Sequence, residues 1–142
     1  MSMSWKRAND TLTAALGGGA TPHILLHTGD PGPNAASNVA QYDSSPIARK
    51  AIAFGDGPEA HPSNTEQRAL NTAGAEPAVE WTGSQIDAAQ EITHFSIWSA
   101  STAGQVEFIA AVATPKTTGS DGVRIGIGDI EVAIGVFAKE PA

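Results

Sequence analysis

Cysteine is absent from this 142-residue chain, so no disulfide framework and no thiolate metal site is available and packing alone must hold the fold. Positive charge is scarce as well: 8 Lys and Arg stand against 15 Asp and Glu, a formal net charge of -7. No basic stripe remains that could release counterions from a phosphate backbone, so no nucleic-acid partner is expected. No stretch approaches the roughly 20 apolar residues that cross a bilayer, and no membrane partner is expected. The N-terminus shows no apolar run of a secretory signal, so any export is expected by lysis or within a larger assembly. Charged residues make up only 16% of the chain, which leaves a surface built largely from Ser, Thr, Asn, Gln, Ala and Gly. Such a surface suits packing against neighbours, and it equally serves a small β-protein with many turns.

What is present is mostly β-patterned, and the length fits one domain with a single core. In the last third, short β-rich runs recur between glycine turns: Ile92 to Trp98, Gln105 to Val112, Val123 to Ile127 and Ile130 to Phe137. The spacing predicts an antiparallel sheet. In the final run Ile130, Val132, Ile134 and Val136 fall on one face and Glu131, Ala133 and Gly135 on the other, the period of a half-buried strand. Gly128-Asp129 supplies hairpin-turn chemistry between Ile127 and Ile130. Earlier candidates are His23 to Thr28, Ile47 to Phe54 carrying Arg49 and Lys50, Ala78 to Trp81, and a short edge strand from Glu66 to Asn71. Ser84 to Gln90 reads as a bridging loop or one helical turn, and Gly29 to Asn34 as a rigid turn.

One helix opens the chain. Trp5, Ala8, Leu12 and Ala15 recur at helical spacing, Ser4 is a fitting N-cap, and Gly17-Gly18-Gly19 ends the pattern. The expected architecture is therefore mainly β: an antiparallel β-sandwich or barrel-like single domain over residues 20–142, preceded by a helix and glycine hinge over residues 1–19. The helix has two destinations, its own sheet or another subunit.

Reactive constellations are few. His23 and His27 share a strand face with Asp30 nearby, a metal set in principle, but isolated His pairs without a carboxylate cluster are more often strand-surface or interface residues that hydrogen-bond to neighbours. His61 and His94 have no pattern tying them to that pair. Gly126-Ile127-Gly128 lacks both the third glycine and the following helix of a dinucleotide loop. No serine sits in a GxSxG elbow, and Asn9-Asp10-Thr11 matches a glycosylation acceptor only by chance, inside the predicted helix. No catalytic residue, cofactor or metal is expected. Trp81 and Trp98 end predicted strands, where large rings cap a core or meet an interface. Trp5, Lys6 and Arg7 set an aromatic anchor beside two cations in an acidic chain, which makes them a candidate interface.

Four segments carry a resemblance: "ILLHTGDPGPN" from Ile24 to Asn34, "ARKAIAFG" from Ala48 to Gly55, "ITHFSIWSASTAGQVEFIAAVATPKT" from Ile92 to Thr117, and "VRIGIGDIEVAI" from Val123 to Ile134. In this order they resemble small virion proteins of tailed bacteriophages, of the type found in phages of actinobacteria and often labelled tail fibre or minor tail proteins. The resemblance implies a non-enzymatic structural component of a tailed-phage virion, assembled in the host cytoplasm. A fibre shaft needs long repeats or trimeric strand arrays, and this chain has no repeat, so a compact knob or surface-decorating subunit fits better and a capsid-decorating minor capsid protein is the first expectation. A tail fibre or tail-tip module that binds a receptor or glycan is the alternative. The expected partners are further copies of the chain, a trimer by analogy with other decoration proteins, and the phage major capsid or tail proteins.

Overall fold

A computed structural model describes residues 4–17, 20–55, 59–60, 66–72 and 78–135. The elements run in order α1 (Trp5–Leu16), β1 (His23–His27), β2 (Gln41–Tyr42), β3 (Ser45–Pro46), β4 (Lys50–Ala51), β5 (Glu59–Ala60), β6 (Glu66–Leu70), β7 (Val79–Trp81), β8 (Glu91–Trp98), β9 (Val106–Thr117), β10 (Val123–Ile125) and β11 (Glu131–Gly135). Among the described residues pairing is antiparallel throughout, in four sheets ordered β4-β1-β8-β9, β10-β7, β11-β6-β5 and β2-β3. The protein is mainly β with one N-terminal helix, as the sequence predicts, and none of the described sheets closes into a barrel. The chain divides into two compact units, one of Met1–Thr21, Ala53–Ala78 and Gly126–Ala142, the other of Pro22–Ile52 and Val79–Ile125.

In the first unit α1 packs against β6 and β11. Ser4 caps the helix by accepting the Arg7 N–H on its side chain at 3.2 Å, and the Gly17 N–H closes the other end on the Thr13 carbonyl at 3.0 Å. Ala8, Leu12 and Leu16 form its buried stripe, with Ala15 only half-buried, so the helix turns its apolar side to its own sheet. Ala69 and Val132 face each other across β6 and β11 and are both buried. The residue pattern predicts an edge strand at Glu66 to Asn71. Instead β6 is the central strand of its sheet. A five-residue strand covered by a helix on one face needs few apolar side chains, and the other face carries an ion pair, Arg68 Nη1 to Glu131 Oε2 at 3.0 Å.

Asn71 stitches this unit together. Its side-chain oxygen accepts the Ile130 N–H at 2.8 Å and its amide donates to the Gly126 carbonyl at 3.0 Å. Its own backbone donates to Ile130 O at 3.2 Å and accepts from the Gly128 N–H at 3.1 Å. Segment 126–130 is thus folded onto one fully buried residue. The turn chemistry of Gly128-Asp129 is present, with Gly128 at φ 84° and the Asp129 carboxylate accepting the Gly126 N–H at 2.7 Å. The expected hairpin is not. β10 pairs with β7 and β11 with β6, because Asn71 captures the chain at the turn and sends it on to β6. The other runs of the last third divide the same way: only β8 and β9 pair with each other.

The second unit is built on β1 and β8, whose five pairs run without a break from His23 opposite Trp98 to His27 opposite His94. Period-two alternation puts Ile24, Leu26, Phe95 and Ile97 on one face, all buried. The same alternation puts His23, Leu25, His27, His94, Ser96 and Trp98 on the other. Of the strand expected over Ile47 to Phe54 only β4 pairs, since Ile47 N–H is drawn to the Ala40 carbonyl and the Ala48 carbonyl accepts Trp81 Nε1–H at 2.8 Å. That bond supplies the indole's polar atom with a partner, and Trp81 is fully buried as the sequence suggested. Its strand, β7, alternates buried and half-exposed against β10, with Trp81 opposite Val123 and Val79 opposite Ile125. Gly122, at φ 90°, leaves no room for a Cβ beside the Trp81 carbonyl.

The loop over residues 82–90 buries Ile86 and is held by Gln90. The Gln90 amide takes the place of a strand neighbour: Oε1 accepts Gln41 N–H and Nε2 donates to Gln41 O, each at 2.8 Å. Asp87 receives the Asp43 N–H on its carboxylate at 3.1 Å, steadying a β2–β3 turn in which Asp43 and Ser44 hold φ of 48° and 66°. Replacing Asn71 by Ala orphans the Ile130 N–H and the Gly126 carbonyl, and the expected loss is roughly 2–4 kcal/mol in urea unfolding. Gln90→Ala acts at a more exposed site, and its expected cost is about 1 kcal/mol by the same measurement. A larger effect at Gln90 than at Asn71 would contradict this ranking.

Candidate functional site

Lys6 and Arg7 stand on the exposed side of α1, away from its buried stripe. Lys6 Nζ lies 3.3 Å from Asp10 Oδ2, one helical turn on, and both side chains are largely in solvent, at 72% and 60% exposure. Such a pair adds little to stability, so it does not explain why cations sit here. The Trp5 side chain falls outside the described residues. Asn9, in mid-helix, is half-buried and its Oδ1 is shut away without a partner, which supports the reading of the glycosylation pattern as chance.

The His pair does not form a metal set. On a strand, residues four apart are separated by roughly 13 Å, too far to share one ion. His23 is half-buried at one end of β1 and His27 fully buried at the other, while the Asp30 carboxylate is taken by the Gly32 N–H at 2.9 Å. His94 Nδ1 is engaged by Thr93 Oγ1 at 2.8 Å, and His61 lies outside the described residues. Among the described residues no group of three or more potential ligands gathers.

His27 belongs instead to a buried polar relay that sequence reasoning did not find. Nδ1 lies 3.0 Å from the Ser37 carbonyl, which can only accept, so Nδ1 carries the proton. Nε2 is then bare and accepts from Ser96 Oγ at 2.8 Å. Ser96 Oγ in turn accepts Trp98 Nε1–H, also at 2.8 Å. Every donor finds an acceptor in the order Trp98, Ser96, His27, Ser37, and this assignment holds only for neutral imidazole. Ser96 lies diagonally across from His27 on the same sheet face, two residues along β8 from the directly opposite His94. The clue in the sequence was a serine amid the apolar run of β8. The Ser96–His27 distance is that of a nucleophile and its base. However, both residues are fully buried and Nδ1 is held by a backbone carbonyl, so the arrangement serves packing and register.

The outer end of the relay is capped by Arg49, whose guanidinium lies 3.6 Å from the centroid of the Trp98 ring. Arg49 Nη1 donates to the carbonyls of Ala100 at 3.0 Å and Ala103 at 2.7 Å. It thereby clamps the loop after β8, where Ala103 and Gly104 take φ of 51° and 68°. Open depressions lie around this core, lined by described residues of the unit. One of about 620 Å³ is lined by Thr28, Asn38, Gln41 and Glu91, and one of about 700 Å³ by Thr82, Lys116, Asp121 and Arg124. Another, of about 210 Å³, lies between Tyr42, Lys50 and Gln85. None is lined by His27 or Ser96.

Burial lowers the pKa of His27 from 6.5; the Ser37 carbonyl opposes the shift and His94 adds to it. The unfolded chain therefore takes up a proton near 6.5 that the folded chain refuses. The stability due to the neutral ring is fully present above that pH and is lost as pH falls from 6.5 towards the lowered folded value, with a slope of at most about 1.4 kcal/mol per pH unit. Urea midpoints of wild type and His27→Gln between pH 7.5 and 5 check this. Wild type should lose stability steeply below about pH 6.5, and the variant, weaker at neutral pH, should show a flatter profile.

A family model described as podophage GP4 fiber I protein gp80 matches residues 3–133, nearly the whole chain. Comparison with curated proteins finds no match. The matched span takes in α1 and every described strand up to the middle of β11, so it covers both compact units and the relay. This is a bacteriophage structural protein and a component of the virion, and the chain belongs to the podophage GP4 fiber I protein gp80 family.

Proposed function

We propose that the chain is a non-enzymatic structural subunit of a phage fibre, working through its surfaces. The family match over residues 3–133 carries this reading. It is supported by the groups best suited to chemistry, His27 and Ser96, being sealed in the core and committed to one another. Capsid decoration, the first expectation from the sequence, is the competing placement, and the fibre description favours the tail alternative. Copy number separates the two. Densitometry of purified virions should find the chain in the low copy number of a tail fibre, and hundreds of copies per particle would assign it to the capsid.

The same reading makes the chain self-associating and attaches it to the particle through Trp5, Lys6 and Arg7. Lys6 and Arg7 are exposed on a helix whose apolar side is already buried, and they are cations on a chain of net charge -7. An acidic particle surface would repel most of the chain and attract this segment. Lys6→Glu with Arg7→Glu should leave the circular dichroism spectrum unchanged, because both positions are exposed, and should weaken binding to particles stripped of this protein by about tenfold or more at low salt. Unchanged binding removes the segment from the interface.

A further inference from the structure

The four-stranded sheet ends on one side at β4, two residues long, and on the other at β9, which has 12. Among the described residues no strand pairs with the outer side of β9. Its side chains are uncovered too: Ile109, Ala110, Ala111 and Ala113 to Thr117 are exposed, and Val106, Glu107, Phe108 and Val112 are half-buried. A long edge presents a row of free N–H and C=O groups, and proteins that must keep such an edge single place charges, prolines and bulges along it. Here those devices stand at the two ends. Glu107 is at one, Pro115 and Lys116 at the other, and pairing with β8 shifts register beside each. Between them Phe108-Ile109-Ala110-Ala111-Val112-Ala113 has no charge and no proline, and from Phe108 to Ala111 its pairing with β8 is regular.

We propose that this edge pairs with β9 of a second copy of the chain, antiparallel and centred near Ala111. The inference rests on the self-association in the reading above and names its surface. Charge selects both the partner and the direction. Glu107 and Lys116 are the strand's two charged residues and lie near opposite ends. Parallel pairing would set Glu107 against Glu107 and Lys116 against Lys116, whereas antiparallel pairing brings each Glu107 beside the second copy's Lys116. The alanines at the centre leave the two backbones free to approach. The contact uses the same patch on both copies, so it closes as a two-fold pair and cannot run on into an open sheet.

Sedimentation of the full chain across a concentration series, together with hydrogen exchange of the 108–113 amides, tests this. The expected result is a dimer whose formation slows exchange in that segment. Ala111→Lys, at an exposed position, should leave the fold intact and raise the dissociation constant about tenfold or more. Glu107→Lys should weaken the dimer, and Glu107→Lys combined with Lys116→Glu should restore it, a rescue that loss of packing would not produce. An oligomer, a trimer included, whose 108–113 amides exchange freely would overturn this surface and leave self-association standing. A monomer at every concentration removes both.

Discussion

The imidazole of His27 is the constraint on which the second compact unit turns. A ring with two polar nitrogens, buried without any exposure, must give each of them a partner or lose the full cost of desolvation. One partner comes from the loop after β1, through the Ser37 carbonyl, and the other from β8, through Ser96. A slip of one residue between β1 and β8 would carry Ser96 to the opposite face and leave Nε2 bare. Hydrogen bonding therefore specifies a register that apolar packing alone would specify less sharply, since β1 is buried on both faces. Trp98 is oriented by the same serine, and Arg49 then finds both a ring to stack on and two carbonyls to hold.

Asn71 and Gln90 solve the same problem by another route. The chain has many irregular segments, and their backbone groups need partners that short strands cannot provide. A primary amide carries a donor and an acceptor on one planar group, so it can replace a missing strand neighbour. Gln90 does this for Gln41, and Asn71 does it for the segment from Gly126 to Ile130. A surface poor in charge and rich in small polar residues follows from this construction.

Several elements were legible because their causes are local. The spacing of Ala8 and Leu12, the Ser4 cap and the closing glycine are all contained within the helix, so α1 could be placed to the residue. β8 and β1 were legible because β-branched and aromatic runs bounded by turns have few other uses. β6 was misjudged as an edge because its apolar residues are few, and nothing in the sequence says that a helix and two strands will surround it. The turn at Gly128-Asp129 was recognised but the hairpin was not formed, since the strand partners were chosen elsewhere. The relay was invisible for a similar reason: His27 and Ser96 lie 69 residues apart, and neither has a neighbour that announces the other.

By itself the sequence determined the class of the molecule: a cysteine-free, acidic, mainly β chain with one leading helix and no local catalytic motif, of a kind that resembles phage virion proteins. The resemblance rests on four quoted segments; the other properties depend on composition and on periodicities of two and 3.6 residues, which operate within a single element. Only the tertiary structure decided which strands pair, that the chain divides into two compact units each built from distant segments, and that the histidine is a core residue with a fixed tautomer. Strand partnership and the satisfaction of buried polar groups depend on atoms remote in the chain. Their energies appear only when those atoms meet and exclude water.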